Sequence, residues 1–320
     1  MRPGVAARRP EGTPAGRISQ ACALCGGTAH VRLFTVDSHP VPDSRRWDLV
    51  RCAGCGLVFV VPMPAWEQLE AIYTTQTYYE RYYQKECQRR VPDPDNPHVR
   101  FLQRFATAGR LLDVGCGPGH FLNDAKAAGW KVAGLDANPF NAAFAREAYG
   151  LEVHTGTLAE TLFRPGSFDV VCMMGVVEHL PNPVGALKDV ARLVRPGGGV
   201  FLLTQNIRSW LAWLMGQRFV FIIPPEHVHY FSPATIRRLL EITGFRLVSV
   251  RTRETITPEK AIRGLRKLLP GVDSRRDKER GFSRPALALA RLGLIAAWPV
   301  RSVLWWACLG ADMWIYGRKR

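Results

Sequence analysis

The feature that most restricts the fold is the run Leu111-Leu112-Asp113-Val114-Gly115-Cys116-Gly117-Pro118-Gly119-His120, an apolar strand that empties into a glycine-rich turn. Glycines at alternate positions permit backbone conformations closed to other residues, and a helix over 121–128 is predicted to follow. The pattern then repeats. Val132-Ala133-Gly134-Leu135-Asp136 reads as a second strand ending in an acid, with a helix over 139–149 behind it. A third clear strand is predicted over 167–174, and Asn182 with Pro183 caps a helix reaching about Val194. Pro196-Gly197-Gly198-Gly199 is expected to stop that helix before a strand over 200–204. Ser232-Pro233 opens another helix that ends at Gly244, and a strand over 245–250 follows. Strands alternating with helices of this length predict a parallel, doubly wound α/β sheet.

Charge is distributed unevenly. The net charge is +16, yet residues 111–250 carry 12 basic and 11 acidic side chains, whereas residues 251–320 carry 16 and 6. A protein built to grip a phosphate backbone would spread positive charge over its catalytic face, so nucleic acid is not the expected partner. The basic tail points to a local anionic partner, such as a membrane surface, a phosphorylated substrate or RNA. Residues 1–17, rich in Arg, Pro and Gly, read as a disordered leader without the apolar run of a signal peptide. No charge-free apolar stretch approaches the roughly 18 residues of a spanning helix. A cytoplasmic protein is expected.

In that compartment eight cysteines argue for metal or buried thiols rather than disulfides. Four of them form matched knuckles, Cys22-Ala23-Leu24-Cys25-Gly26 and Cys52-Ala53-Gly54-Cys55-Gly56. A two-residue spacer brings two thiolates to one ion, and the glycine permits the turn behind them. Val31–Val36 and Trp47–Arg51 read as short strands filling the 26 residues between the knuckles. Cys22, Cys25, Cys52 and Cys55 are therefore the expected ligands of a structural zinc, with no open position for chemistry. Cys87, Cys116, Cys172 and Cys308 have no partner spacing.

The glycine turn distinguishes between nucleotide cofactors. Its spacing is G-x-G-x-G, with Asp113 at the base and Asp136 about 20 residues on, placed to accept bonds from two ribose hydroxyls. These residues, with Phe168-Asp169-Val170-Val171, Glu178-His179-Leu180-Pro181-Asn182-Pro183 and Leu193-Val194-Arg195-Pro196-Gly197-Gly198, resemble the class I S-adenosylmethionine-dependent methyltransferases over residues 109–252. The resemblance implies a seven-stranded, mostly parallel Rossmann-like sheet and S-adenosylmethionine as methyl donor. It implies that Asp136 holds the ribose while Gly115, Gly117 and Gly119 lie beneath the methionine part. Asp113 orders the loop, and Ala137, Thr157 and Met174 complete the contacts. The acid that often follows the third strand of such sheets is replaced by Gly156-Thr157-Leu158.

A narrower resemblance joins the ends. The knuckles, Arg51 to Pro62, a run of tyrosines and Pro224-Pro225-Glu226-His227-Val228-His229-Tyr230-Phe231-Ser232 resemble bacterial zinc-ribbon methyltransferases of sugar and glycan pathways. Deoxysugar C-methyltransferases of this kind carry a Tyr/Glu/His cluster for proton transfer, similar to this chain at Glu226 and His227, but continue into a further C-terminal domain absent here. A histidine in this loop suits removal of a proton from a hydroxyl or acidified carbon. His227 is the favoured base, one of His227 and His229 is structural, and Glu178 and His179 follow a strand at the ligand-bearing edge. Tyr78-Tyr79-Glu80-Arg81-Tyr82-Tyr83 either closes over the cofactor or forms core between ribbon and sheet.

The expected organisation is a leader (1–17), a zinc ribbon (18–66), a helical and aromatic connector (67–108), the cofactor-binding core (109–252), a basic, apolar helical insertion (253–310), and a last strand with a basic tail (311–320). The insertion, rich in tryptophan beside arginine, is either part of the acceptor pocket or a peripheral membrane contact. The function this organisation implies is methyl transfer to a small, sugar-linked acceptor through O or C. An RNA-base methyltransferase and a non-catalytic zinc-bearing binding protein are the alternatives.

Overall fold

The computed structural model of the 320-residue chain describes residues 20–38, 45–85, 87–88, 90–161, 163–253 and 308–320. The expected leader and nearly all of the expected helical insertion lie outside the described residues.

The chain opens with three antiparallel strands, β1 (His30–Asp37), β2 (Arg46–Cys52) and β3 (Val58–Val61). The knuckle cysteines sit at the turns before β1 and between β2 and β3. The expected connector contains three short helices, α1 (Trp66–Tyr73), α2 (Gln76–Tyr82) and α3 (Pro97–Leu102). The alternating region follows: β4 (Arg110–Val114), α4 (His120–Ala127), β5 (Lys131–Asp136), α5 (Pro139–Tyr149), β6 (Val153–Thr155), β7 (Phe168–Met174), α6 (Pro183–Leu193) and β8 (Val194–Gln205). Then come α7 (Trp210–Met215), β9 (His229–Tyr230), α8 (Pro233–Ile242), β10 (Phe245–Arg253) and β11 (Asp312–Lys319).

Seven strands form one sheet in the order β10-β11-β8-β7-β4-β5-β6. The strands from β8 to β6 are parallel, and β11 runs antiparallel between β10 and β8. Alternation along β4 explains how one strand serves two cores. Leu111 faces α3, α4 and α5, with Leu122, Ala125 and Ala142, while Leu112 faces α6 and α8, with Leu187, Val190 and Leu239. Covered on both faces, β4 has to be apolar throughout; Asp113 is its buried exception. Strand order reverses between β4 and β7, and at such a switch point open α/β sheets carry their ligands outside the carboxyl ends.

Two sequence expectations change. α6 stops at Leu193 as expected, but the chain enters β8 at once: Val194 pairs with Phe168 and Gly199 with Val170, and the residues between them, with Gly197 at φ +73°, form a bulge inside the strand rather than a turn before it. A Cβ on Gly198 or Gly199 would collide with the Asp169 carbonyl or the Tyr316 ring. The ribbon is also not self-contained. Its sheet has the order β1-β2-β3-β9, so the fourth strand comes from the loop ahead of α8. Val58 pairs with Tyr230 and Phe59 with His229, and the Val60 N–H donates to the Val228 carbonyl at 3.0 Å. Leu49, Val60, Phe219, Val228 and Tyr230 pack as a third core beneath this sheet. No described helix is long and apolar enough to cross a membrane.

Helix α8 anchors the far end of that loop. Ser232 accepts from the Thr235 N–H, and the Thr235 hydroxyl accepts in return from the Ser232 N–H at 2.8 Å, satisfying two donors at the helix start. Ser232→Ala is expected to cost about 1 kcal/mol, read as a fall in Tm of roughly 2–4 °C. An unchanged melting curve would show that the cap contributes nothing.

Candidate active site

The floor of the site is the turn between β4 and α4. Gly115 and Gly117 have φ of +70° and +54°, in the left-handed region. A Cβ on Gly115 would lie 2.5 Å from the Val176 side chain, and one on Gly117 would lie 3.3 Å from the Tyr83 ring. The turn needs glycine for both backbone shape and space. Gly119, the N-cap of α4, is left-handed as well and abuts Ala145 and Leu151.

Asp136, at the end of β5, ties this turn down. One carboxylate oxygen accepts from the Gly117 N–H at 2.7 Å, and the other accepts from the Asn138 N–H at 2.8 Å and from Asn141 at 3.4 Å. Burial raises its pKa, while the Asn138 and Gly117 N–H bonds and the Asn141 bond favour the ionised form. Asp113 lies wholly inside; burial and the Asp136 charge hold its carboxyl well above the usual range, and Oδ1 has no partner. Gly115, Asp136, Ala137, Asn138 and Asn141 line a cavity of about 140 Å³, closed on its other side by Trp66, Tyr73, Tyr78, Tyr83, Val176 and His179. Ordinary ligand pockets span roughly 300–1,000 Å³. The tyrosines narrow the space beside the glycine turn.

Thr157 and Met174 do not line this cavity. The Thr157 N–H and hydroxyl both bond to the exposed Glu160 carboxylate, at 2.7 and 2.8 Å, which holds that acid below its ordinary pKa. Glu160 is thus an acid at the β6 edge, three residues beyond the point where the sequence pattern lacks one. Met174 lines a second cavity of about 670 Å³ with His120, Phe121, Tyr149, Leu203 and Trp314.

Opposite the glycine turn, two loops bring four ionisable side chains together. A 3-10 turn, Val177–His179, carries Glu178 and His179 off the end of β7. The segment before β9 brings Glu226 and His227 beside it. Both Glu226 carboxylate oxygens accept from the Tyr82 hydroxyl, at 3.0 and 3.2 Å. Tyr73 donates its only proton to the Glu226 carbonyl at 2.9 Å, so the 3.0 Å contact to His179 must be donated by the ring Nδ1–H. His227 likewise donates Nδ1–H to the Phe221 carbonyl at 2.8 Å. In both neutral rings the lone pair therefore sits on Nε2. The two imidazoles meet edge to face with centroids 4.6 Å apart. Burial pushes His179 down to about 4. His227 is also driven well below its ordinary value, by burial and then by His179. Burial moves Glu178 the other way, up to about 7, and its Oε2 has no partner.

His229 differs from its neighbour. It is 0% exposed against 7% for His227, donates Nδ1–H to the Leu180 carbonyl at 3.0 Å, and lies between the rings of Phe59 and Phe231. Tyr73, Asn138 and Asn141 escaped the sequence reading. Only the Asn138-Pro139 cap offered a signal for any of them, since nothing local marks Tyr73 as a partner of a histidine 106 residues away.

The four knuckle thiols converge separately. Cys22 and Cys55, and Cys25 and Cys52, have sulfurs 3.5 Å apart, and all four lie within 4.8 Å of one another.

Residues 79–250 match the family model described as a methyltransferase domain. The chain belongs to that family. Among curated relatives it is similar to a ubiquinone biosynthesis O-methyltransferase of Sodalis glossinidius (34% identical over 148 residues, 42% of this chain and 59% of the relative). It is also similar to one of Burkholderia vietnamiensis (33% over 145 residues, 42% and 61%). The matched segments span about three fifths of those relatives. A solved SAM-dependent methyltransferase from Archaeoglobus fulgidus is 22% identical, with a TM-score of 0.49 over 76% of this chain and all of that one.

The burial of His229 has a measurable consequence. Its folded pKa of about 4 lies below the ordinary value of 6.5, so the unfolded chain takes up a proton that the folded chain refuses. Its contribution to stability is complete above pH 6.5 and is lost as pH falls towards 4. His229→Phe is expected to cost about 1 kcal/mol at pH 7 through the lost Leu180 bond, and to show a shallower fall in Tm between pH 6.5 and 4.5 than the parent. Identical acid limbs in the two proteins would contradict a neutral, buried His229.

Proposed function

We propose that the chain is an S-adenosylmethionine-dependent methyltransferase that methylates a hydroxyl of a small acceptor. The observation that carries this reading is that Gly115, Asp136 and His179 line one cavity. A cradle suited to a nucleoside thus shares its cavity with His179, the member of the histidine and carboxylate cluster that meets His227 edge to face. The residues fit the donor: the glycines offer backbone without side chains, the Asp136 oxygen that accepts from Gly117 keeps a lone pair for a ribose hydroxyl, and tyrosine rings line the same space. When bound, S-adenosylmethionine supplies the electrophilic methyl group.

The protein's own contribution is to place the acceptor and remove its proton. Methyl transfer is an in-line displacement, so holding the hydroxyl against the sulfonium provides most of the acceleration. His227 is the proposed base. It is neutral at pH 7, its ring is oriented by the Phe221 carbonyl, and it is less enclosed than His229. Glu226, fixed by Tyr82, and His179, fixed by Tyr73, set the walls around it. The zinc-ribbon resemblance implies a sugar-linked acceptor methylated at O or C, and the curated relatives are named O-methyltransferases of ubiquinone biosynthesis; the two readings overlap at a hydroxyl. Methyl transfer from labelled S-adenosylmethionine into sugar-nucleotide, hydroxylated aromatic and RNA pools separates them. Label entering RNA alone, or entering no pool at all, would overturn this reading.

The knuckle cysteines are proposed to hold one structural zinc. A tetrahedral Zn–S bond of about 2.3 Å sets sulfurs about 3.8 Å apart, close to the 3.5 Å of the two pairs. Metal analysis is expected to find about one equivalent that the Cys22→Ser/Cys52→Ser double variant lacks. Zinc-free protein from metal-replete expression would sink the assignment.

Two substitutions separate binding from chemistry. Asp136→Ala is expected to weaken S-adenosylmethionine binding by roughly tenfold to a hundredfold, the equivalent of about 1.5–3 kcal/mol. His227→Ala is expected to lower turnover by about 100- to 10,000-fold with donor affinity nearly unchanged. Calorimetry and initial rates check both, and near-normal turnover in the His227 variant would move the base elsewhere.

A further inference from the structure

We propose that Glu178, His179 and His227 form a binding site for one divalent transition-metal cation, separate from any ion held by the cysteines. One carboxylate oxygen and one nitrogen from each ring lie within 4.8 Å of one another. Glu178 Oε2 is buried and has no hydrogen-bond partner. His227 is turned by its Nδ1–H bond to the Phe221 carbonyl, and His179 by its bond to Tyr73, whose hydroxyl is held by the Glu226 carbonyl. Metal-binding histidines are oriented in this way, one ring nitrogen donating to an outer oxygen while the other faces the ion.

The arrangement has a physical cost that a cation removes. Lone pairs from two imidazoles and a carboxylate that converge out of water repel one another and lack solvent to screen them. A cation between them satisfies all three at once. Two nitrogens and one oxygen suit manganese, iron, cobalt or zinc better than magnesium or calcium, which favour all-oxygen shells. Three protein ligands also leave positions open for water or an acceptor hydroxyl, unlike the closed four-sulfur cluster.

The consequence for turnover rests on the methyltransferase reading. The His227 Nε2 lone pair holds a cation or receives a proton, but not both. A bound ion therefore opposes base catalysis, and a chelator restores it.

Manganese(II) tests the site, because its aqueous paramagnetic resonance signal disappears on binding and it is a poor match for thiolates. Titration of the full chain is expected to remove about one equivalent of signal, with binding weakened about 100-fold or more in Glu178→Gln and in His227→Ala. S-adenosylmethionine affinity, measured in the same samples, reports whether each variant is folded. Absence of manganese binding to the parent, or undiminished binding in both folded variants, would overturn the site. A parent that binds manganese but not S-adenosylmethionine would support the site and overturn the methyltransferase reading. If manganese raises turnover, the site stands and the base assignment to His227 fails.

Discussion

The short pairing of β3 with β9 is the contact on which the candidate site depends. Through it the peptide of Val228 is held from both sides: its carbonyl accepts from Val60 of the ribbon sheet, and its N–H donates to the Glu178 carbonyl at 2.9 Å. His227 and His229 flank that peptide. Cys52, Leu57 and Phe59 join the same buried cluster as Val171 and Leu187 of the α/β domain, so the knuckles and the catalytic edge share packing as well as hydrogen bonds. The ribbon acts as the wall on which the histidine loop is mounted. The four-cysteine module and the segment bearing His227 and His229 are therefore one packed unit.

Desolvation controls the electrostatics of the site. Glu178, His179 and His227 sit in the same dry volume, and burial drives the acid's pKa up and the histidines' pKa down, so each moves towards its uncharged form. The result at neutral pH is a cluster rich in lone pairs and poor in protons. Both proposals for this chain start from the convergence of these three side chains. Tyr73 and Tyr82 keep it ordered by binding the main chain and side chain of Glu226 without supplying charge of their own.

The tyrosines also line the cavity beside the glycine turn. Tyr83 lies over Gly117, and Tyr78 packs on both Tyr73 and Tyr82. The same short helical segment thus lines the cavity and, through Tyr73, holds His179.

The sequence by itself determined the periodic parts. The apolar run of β4, the glycine turn, the acid ending β5 and the Asn182 and Ser232 caps are local signals, each needing only its near neighbours to act, and all occupy their expected elements. The last strand expected over 311–320 came from the resemblance, and β11 occupies it, antiparallel between β10 and β8. The matched knuckles announced the four-sulfur cluster for the same reason: ligand spacing within a turn is a local property. Tertiary structure alone decided three things. It gave β9 to the ribbon, because a two-residue strand carries no pattern of its own and forms only against an existing edge. It brought Tyr73 to His179 and Tyr82 to Glu226 across more than a hundred residues, a matter of packing rather than spacing. It also divided two histidines two residues apart in sequence, which a continuous strand would have put on one face: His229 lies in β9 against Phe59 and Phe231, while His227 precedes that strand and, held by the Phe221 carbonyl, turns towards His179.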